Sequence, residues 1–256
     1  MTRQLGSIVL LILISKTAMG CYTPALTDAV NFKNCQLAAQ RDDVDGQYYL
    51  GYMYHYRKGV FRDYQKAREE YVKAASRNHA SAQHQLGVMF EFGQGVLLNY
   101  NKAKEWYLLA AQQGDINGQI SLGWLYQYGK GVGYDEKEAA RWYLSAANQG
   151  SAKGQYNLGA LYQFSTRGHK DIAEALRWYL KAANQGDADA YLRLSELYQY
   201  GGDVPKDRVK AYQWAFIATK KAGYPEGKAG RLIKGSLIEE ERQAGRSLAE
   251  RWLEGH

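Results

Sequence analysis

The chain has 256 residues, with 33 Lys and Arg against 26 Asp and Glu, for a formal net charge of +7. After the first twenty residues no apolar run is long enough to cross a bilayer, which excludes a multi-span membrane protein. Two cysteines and five scattered histidines exclude a disulfide-dense framework and a zinc site of recognisable spacing.

Residues 1–20 read as a secretory signal peptide. Arg3 gives a positive start, Ile8 to Ile14 an apolar run, and Ala18-Met19-Gly20 the small residues of a cleavage site. Removing the segment lowers the net charge to +5. The expected location is periplasmic or secreted, or that of a lipoprotein anchored through Cys21, the first residue after cleavage. Against a lipid, Lys16 intrudes and Ala18 stands where lipidation sites prefer Leu. The other reading is a disulfide between Cys21 and Cys35, as expected in an oxidising compartment. A loop of about fifteen residues would contribute about 3 kcal/mol to stability.

From residue 43 the chain repeats itself with a period of 36 residues. The slide aligns Leu50-Gly51, Leu86-Gly87, Leu122-Gly123 and Leu158-Gly159, with Leu194-Ser195 as a degraded fifth copy. Glu70-Tyr71, Trp106-Tyr107, Trp142-Tyr143, Trp178-Tyr179 and Trp214-Ala215 also fall in step, as do Ala74-Ala75, Ala110-Ala111, Ala146-Ala147 and Ala182-Ala183. Such a period marks a solenoid. The copies are 43–78, 79–114, 115–150, 151–186 and 187–222. Residues 27–42 lie in register with the second half of a copy, so 21–42 reads as an N-terminal half-repeat cap. Residues 223–256 read as C-terminal capping helices: one near Tyr224–Ile233, and an amphipathic one over 237–253 with Ile238, Glu241, Ala244, Leu248 and Trp252 on one face.

Within the third copy, helical spacing appears twice. Ile120, Leu122, Gly123, Leu125, Tyr126 and Tyr128 form the buried side of a first helix, and Ala139, Trp142, Tyr143, Ala146 and Ala147 that of a second. Gly129-Lys130-Gly131-Val132 turns between them, and Arg57 replaces the first of these glycines in the first copy. The fourth copy has Ser165-Thr166-Arg167-Gly168 there, which predicts a less regular turn. Asp63, Asn99, Asp135, Asp171 and Asp207 are predicted N-caps of the second helices. Glu138 and Glu174, three residues on, would complete capping boxes. Gly114, Gly150 and Gly186 suit left-handed helix ends, with Asn78 as a substitute. Asp115, Ser151 and Asp187 cap the helices that follow. The glycines of the Leu-Gly pairs stand where two helices approach closely, with Trp and Tyr filling the space between units. Core packing thus accounts for most of the 22 tyrosines without a cofactor.

These residues resemble the Sel1-like repeat family, relatives of tetratricopeptide repeats. LGVMFEFGQGVLLNYNKAKEWYLLAAQQG at 86–114 and LGWLYQYGKGVGYDEKEAARWYLSAANQG at 122–150 carry the likeness. The fold expected is all-α: a right-handed α-solenoid of about five helix–turn–helix repeats with N- and C-terminal capping helices.

No catalytic or metal constellation stands out, no cofactor is expected, and nucleic acid is a poor partner for an exported chain. The resemblance implies a bacterial, non-enzymatic scaffold that binds a protein or peptide in the cell envelope or outside the cell. The alternative is an envelope enzyme or cell-wall ligand binder of the cysteine-rich exported type. Here Cys21 and Cys35 are the only cysteines, where that type carries a pair in nearly every repeat. In the related hairpins the first helix lines a concave groove. On that face Tyr52, His55, Val88, Glu91, Trp124, Gln127, Gln163, Glu196 and Gln199 are the expected partner-binding residues, with Trp124 the best single anchor.

Overall fold

A computed structural model describes residues 20–166, 170–201, 203–222 and 238–256. Nearly all of the segment expected to be a signal peptide, the helix expected over Tyr224–Ile233, and Arg167 and Gly168 of the fourth turn lie outside the described residues. The described residues form twelve α-helices and no strand. They fall into two compact units, Met1–Arg77 and Asn78–His256.

The first unit holds α1 (Asp28–Ala39), α2 (Val44–Tyr56) and α3 (Tyr64–Ser76). Cys21 and Cys35 are disulfide-bonded with their Cα atoms 4.7 Å apart, so the thiol that a lipid would need is occupied. The tethered segment is also fastened along its length. The Thr23 N–H donates to Asn31 Oδ1 and the Asn31 amide donates back to the Thr23 carbonyl, both at 2.9 Å. The Tyr22 ring stacks on Tyr49 with centroids 5.1 Å apart. The outer face of α1 is thereby covered by an extended segment.

The second unit stacks four hairpins: α4 (Ala80–Phe92) with α5 (Tyr100–Gln112), α6 (Ile116–Tyr128) with α7 (Glu136–Asn148), α8 (Ala152–Phe164) with α9 (Ile172–Asn184), and α10 (Ala188–Tyr200) with α11 (Arg208–Ala222). A last helix, α12 (Glu239–Glu254), packs on α11.

The side-chain caps form as the sequence predicts. Asp63, Asn99, Asp135 and Asp171 accept from backbone N–H groups of the second helices, and Asp207 does so from Lys210 at 2.8 Å. Asp115, Ser151 and Asp187 do the same for the first helices. The reciprocal half of the capping box gives way to an ion pair. Glu138 turns to Arg141 at 3.3 Å and Glu174 pairs with Arg177, because a charged partner three residues on competes with a backbone N–H. The hairpin turns close identically in all five copies. The N–H of Asp63, Asn99, Asp135, Asp171 and Asp207 donates to the carbonyl of Tyr54, Phe90, Tyr126, Tyr162 and Tyr198. Gly129 begins its turn at φ +62°, and Arg57 takes the same left-handed conformation at φ +59° despite its side chain. In the fourth copy the first helix ends in extended Ser165. There Glu136, buried at the start of α7, substitutes for the glycine turn. It accepts from the Ser165 hydroxyl at 2.6 Å and the Thr166 N–H at 3.2 Å.

Close packing inside a hairpin is a glycine–tyrosine contact. A Cβ on Gly123 would lie 2.7 Å from the Tyr143 ring, and one on Gly87 2.4 Å from the Tyr107 ring. Tyr71, Tyr107, Tyr143 and Tyr179 are all fully buried, whereas Trp106 and Trp178 are only half-buried. The tyrosine is therefore the wedge within the first four hairpins rather than between units. Two further expectations shift. Tyr128, the last residue of α6 before the turn, leaves the buried side of the helix and is exposed. On α12 the face against α11 is centred on Gly245 and Ala249, while Ile238 and Ala244 are exposed. The cause is close approach: a Cβ on Gly245 would come within 2.8 Å of the Val209 carbonyl oxygen. Trp252 still packs there, 5.6 Å from Trp214 and 5.8 Å from Tyr191.

Candidate functional site

In the second unit α4 touches α6 and α6 touches α8 directly, so the first helices of neighbouring hairpins share one face. Two ladders of polar side chains fasten the hairpins beneath that face. At one end Gln113, Gln149 and Gln185 donate to the buried Gln83, Gln119 and Gln155 at 2.6–2.8 Å. At the other the wedge tyrosines bond to the tips of the first helices. Tyr107 donates to Glu91, and Tyr143 and Tyr179 donate to Gln127 and Gln163 at 2.8 Å. Burial pushes the Tyr143 and Tyr179 phenols above their ordinary range, so these hydroxyls stay protonated donors. Burial also raises the Glu91 carboxyl, opposed by the hydrogen bond from Tyr107.

Three expected binding residues, Glu91, Gln127 and Gln163, are therefore committed to tyrosine. Gln199 stands at the same register, opposite Ala215 in place of a tyrosine. His55 is 2 % exposed, stacked against Tyr56 and edge-on to Tyr64, so the interior takes it from the surface. Tyr52, Val88, Trp124 and Glu196 are half-buried along the shared register. Glu196 pairs with Arg193 at 2.8 Å.

One more register emerges at the last residue of each first helix, where Tyr56, Phe92, Tyr128, Phe164 and Tyr200 recur. In the second unit its four members, Phe92, Tyr128, Phe164 and Tyr200, are each more than half exposed. Trp124 lies one turn back from Tyr128 with ring centroids 5.1 Å apart. The signal was present in the sequence as an aromatic in all five copies, one position before the turn. Helical periodicity had assigned it to the core. Phe164 and Tyr200 also help line a cleft of about 480 Å³ with Lys170, Arg193, Glu196 and Asp203. Arg193 lies over the Phe164 ring at 5.3 Å. Among the described residues no group of three or more His, Cys, Asp or Glu is placed to hold a metal ion, and no helix is long and apolar enough to cross a membrane.

Comparison with known proteins agrees with this geometry. The family model for the Sel1 repeat matches residues 44–79, 80–115, 116–151, 152–187 and 188–221. A Sel1 repeat protein from Oxalobacter formigenes superposes with a TM-score of 0.71 at 28 % identity, over 88 % of this chain and 90 % of its own. The c5321 protein, a protective antigen present in uropathogenic Escherichia coli strains and displaying an SLR fold, gives a TM-score of 0.54 at 29 % identity over 89 % of this chain. The chain spans 57 % of the length of that antigen. Immunity protein Pa5087 from Pseudomonas aeruginosa shares the fold at 21 % identity with a TM-score of 0.51, over 88 % of this chain and 74 % of its own. No protein of curated function matches the chain.

Proposed function

The chain belongs to the Sel1 repeat family, and from that premise we propose that it is an exported, non-enzymatic scaffold whose first-helix face holds a peptide or protein partner. The observation that carries this reading is the exposed aromatic register Phe92, Tyr128, Phe164 and Tyr200, with Trp124 packed beside Tyr128. These rings stand outside the core, and exposed rings held on rigid helices are efficient anchors for a partner. Side chains that the fold already bonds, such as Gln127 and Gln163, form the floor of the site and give it shape. The Arg193–Glu196 pair and Lys170 add charge at the cleft beside Phe164 and Tyr200.

Export is supported by the disulfide, which belongs to an oxidising compartment, and by the signal-like start. Likeness to a protective antigen favours a partner met in the envelope or outside the cell. The test is selection from a random-peptide display library. The protein should enrich related peptides, and the pair Trp124→Ala and Tyr128→Ala should weaken those peptides roughly thirtyfold, about 2 kcal/mol, with the helical circular dichroism of the folded protein retained. Equal binding by the variant would remove the reading.

A further inference from the structure

Phe92, Tyr128, Phe164 and Tyr200 stand at one register of four successive first helices in the second unit, each more than half exposed. There α4 packs directly on α6 and α6 on α8. Arg193 of α10 lies over the Phe164 ring of α8 at 5.3 Å, so the series continues to the fourth helix. Helices in direct contact lie about 8–10 Å apart. The rings therefore recur at about that pitch, and a bound chain that meets them all must repeat its own surface in step.

An extended strand shows one face every second residue, about 6.7 Å, and falls out of step. An α-helix returns to one face after about seven residues, about 10.5 Å, and would need about 22 residues to meet four rings. A polyproline II helix repeats every third residue, at about 9.3 Å, with its anchors on one edge. It matches the pitch in about ten residues. Such a helix has no internal hydrogen bonds, so its carbonyls need outside donors. Gln127 and Gln163 meet that need: their Oε1 atoms accept from Tyr143 and Tyr179 at 2.8 Å, which leaves the amide NH2 groups to donate. Beside Tyr128 the Trp124 ring, 5.1 Å away, completes the kind of paired aromatic surface on which prolines dock.

Charge selects the other edges of the ligand. Exposed Lys130 follows Tyr128 by two residues, and exposed Lys170 lines the cleft of Phe164 and Tyr200. Lys206, also exposed, lays its stem against Gly201 beside Tyr200, where an added Cβ would come within 2.5 Å of its Cγ. Of the first-helix carboxylates nearby, Glu91 is bonded by Tyr107 and Glu196 by Arg193. Apart from the capping aspartates, the described turn residues of the second unit set only Asp203 against these lysines. A row of cations beside a row of rings fits a ligand with acids along one edge and prolines along another.

We propose that the aromatic face of the second unit takes an acidic, proline-rich peptide in the polyproline II conformation. Every third residue is a proline seated on the ring register, and the carboxylates meet Lys130, Lys170 and Lys206. This rests on the reading of that face as the partner site and names the partner's chemistry. The probe is a fluorescent peptide of Pro-Asp-Pro triplets about 12 residues long, which reaches about 37 Å in this conformation. Anisotropy with the full chain should show saturable binding that weakens as salt rises. Pro-Lys-Pro triplets should bind about tenfold more weakly or worse. Val-Asp-Val triplets, which keep the acids but not the conformation, should also lose about tenfold. Lys130→Gln, Lys170→Gln and Lys206→Gln together should weaken the Pro-Asp-Pro peptide about tenfold, and Tyr128→Ala with Phe164→Ala about thirtyfold. Both variants should keep the helical circular dichroism of the parent. No binding of this peptide by a protein that does bind library-selected peptides would overturn the inference alone, and failure with both would overturn the reading of the face as well. Equal binding of the Pro-Lys-Pro or Val-Asp-Val peptide, or undiminished binding by either variant, would also overturn the inference.

Discussion

The first hairpin and those of the second unit have the same backbone and different polar fittings. In the second unit the wedge tyrosines donate to Glu91, Gln127 and Gln163, and the glutamine pairs close the opposite end. In the first hairpin His55 stands at the tip, the Tyr71 hydroxyl is buried without a partner, and Arg77 replaces the closing glutamine. Arg77 reaches the Asp42 carbonyl instead, and Gln47 Oε1 is buried without a partner. Arg57 bears a left-handed backbone that glycine takes elsewhere. Hairpin shape therefore comes from small residues, wedge tyrosines and caps, while the polar ladders add smaller increments. The first hairpin does without those increments and has the disulfide-tethered segment in their place.

The largest expected contrast is at the Trp142 register. Trp142 is buried in the hydrophobic core of the second unit, so Trp142→Ala should cost about 3–5 kcal/mol. Glu70 holds that register in the first hairpin, paired with Lys73, and Glu70→Ala should cost below about 1 kcal/mol. Urea midpoints of the two variants compare them directly, and equal midpoints would mean that the two hairpins rest on the same contacts. Next comes the tether: Cys21→Ser should cost the first unit about 3 kcal/mol in the chain-entropy model. Limited proteolysis should then cut around Thr27 while the second unit stays resistant. Arg57→Gly should gain about 1 kcal/mol by relieving the left-handed residue, read as a higher melting temperature. Arg77→Gln recreates the amide pair and should gain up to about 1 kcal/mol. The smallest effect is one of pH. Burial lowers the His84 pKa, opposed by Asp115, so the folded state resists protonation. Stability from this group is full above the unfolded value near 6.5 and declines as pH falls through the folded value. Tyr48 holds the register in the first hairpin, so His84→Tyr should flatten the fall in melting temperature on acidification.

Much of this could be read from the period of the sequence. The period placed the hairpins and their caps, because each depends on residues a few positions apart, and it marked the glycines of close approach but not the tyrosines twenty residues on that they meet. What escaped depends on contacts that local spacing does not carry. The Tyr128 register continues the helical stripe and so reads as core, yet it sits at the last residue of the helix, at the edge of the turn. Glu91, Gln127 and Gln163 read as open surface because their tyrosine partners lie sixteen residues on, across the hairpin. Glu136 has no counterpart in other copies, and its role at Ser165 and Thr166 follows only from packing of the next hairpin. On α12 a small residue, Gly245, outweighs the larger apolar side chains in setting the buried face, since it permits contact with the Val209 backbone.

On the proposed function, a partner meets the exposed aromatic register of the first helices and not the outer surface of the second. Site-specific photocrosslinking reads this most directly. A benzophenone side chain is placed at Tyr128 in one variant and at Leu144, exposed on α7, in another. Each is irradiated with a peptide enriched by the wild-type protein. A covalent adduct from position 128 and none from 144 is the predicted result. Crosslinking from 144 with none from 128 would contradict the account.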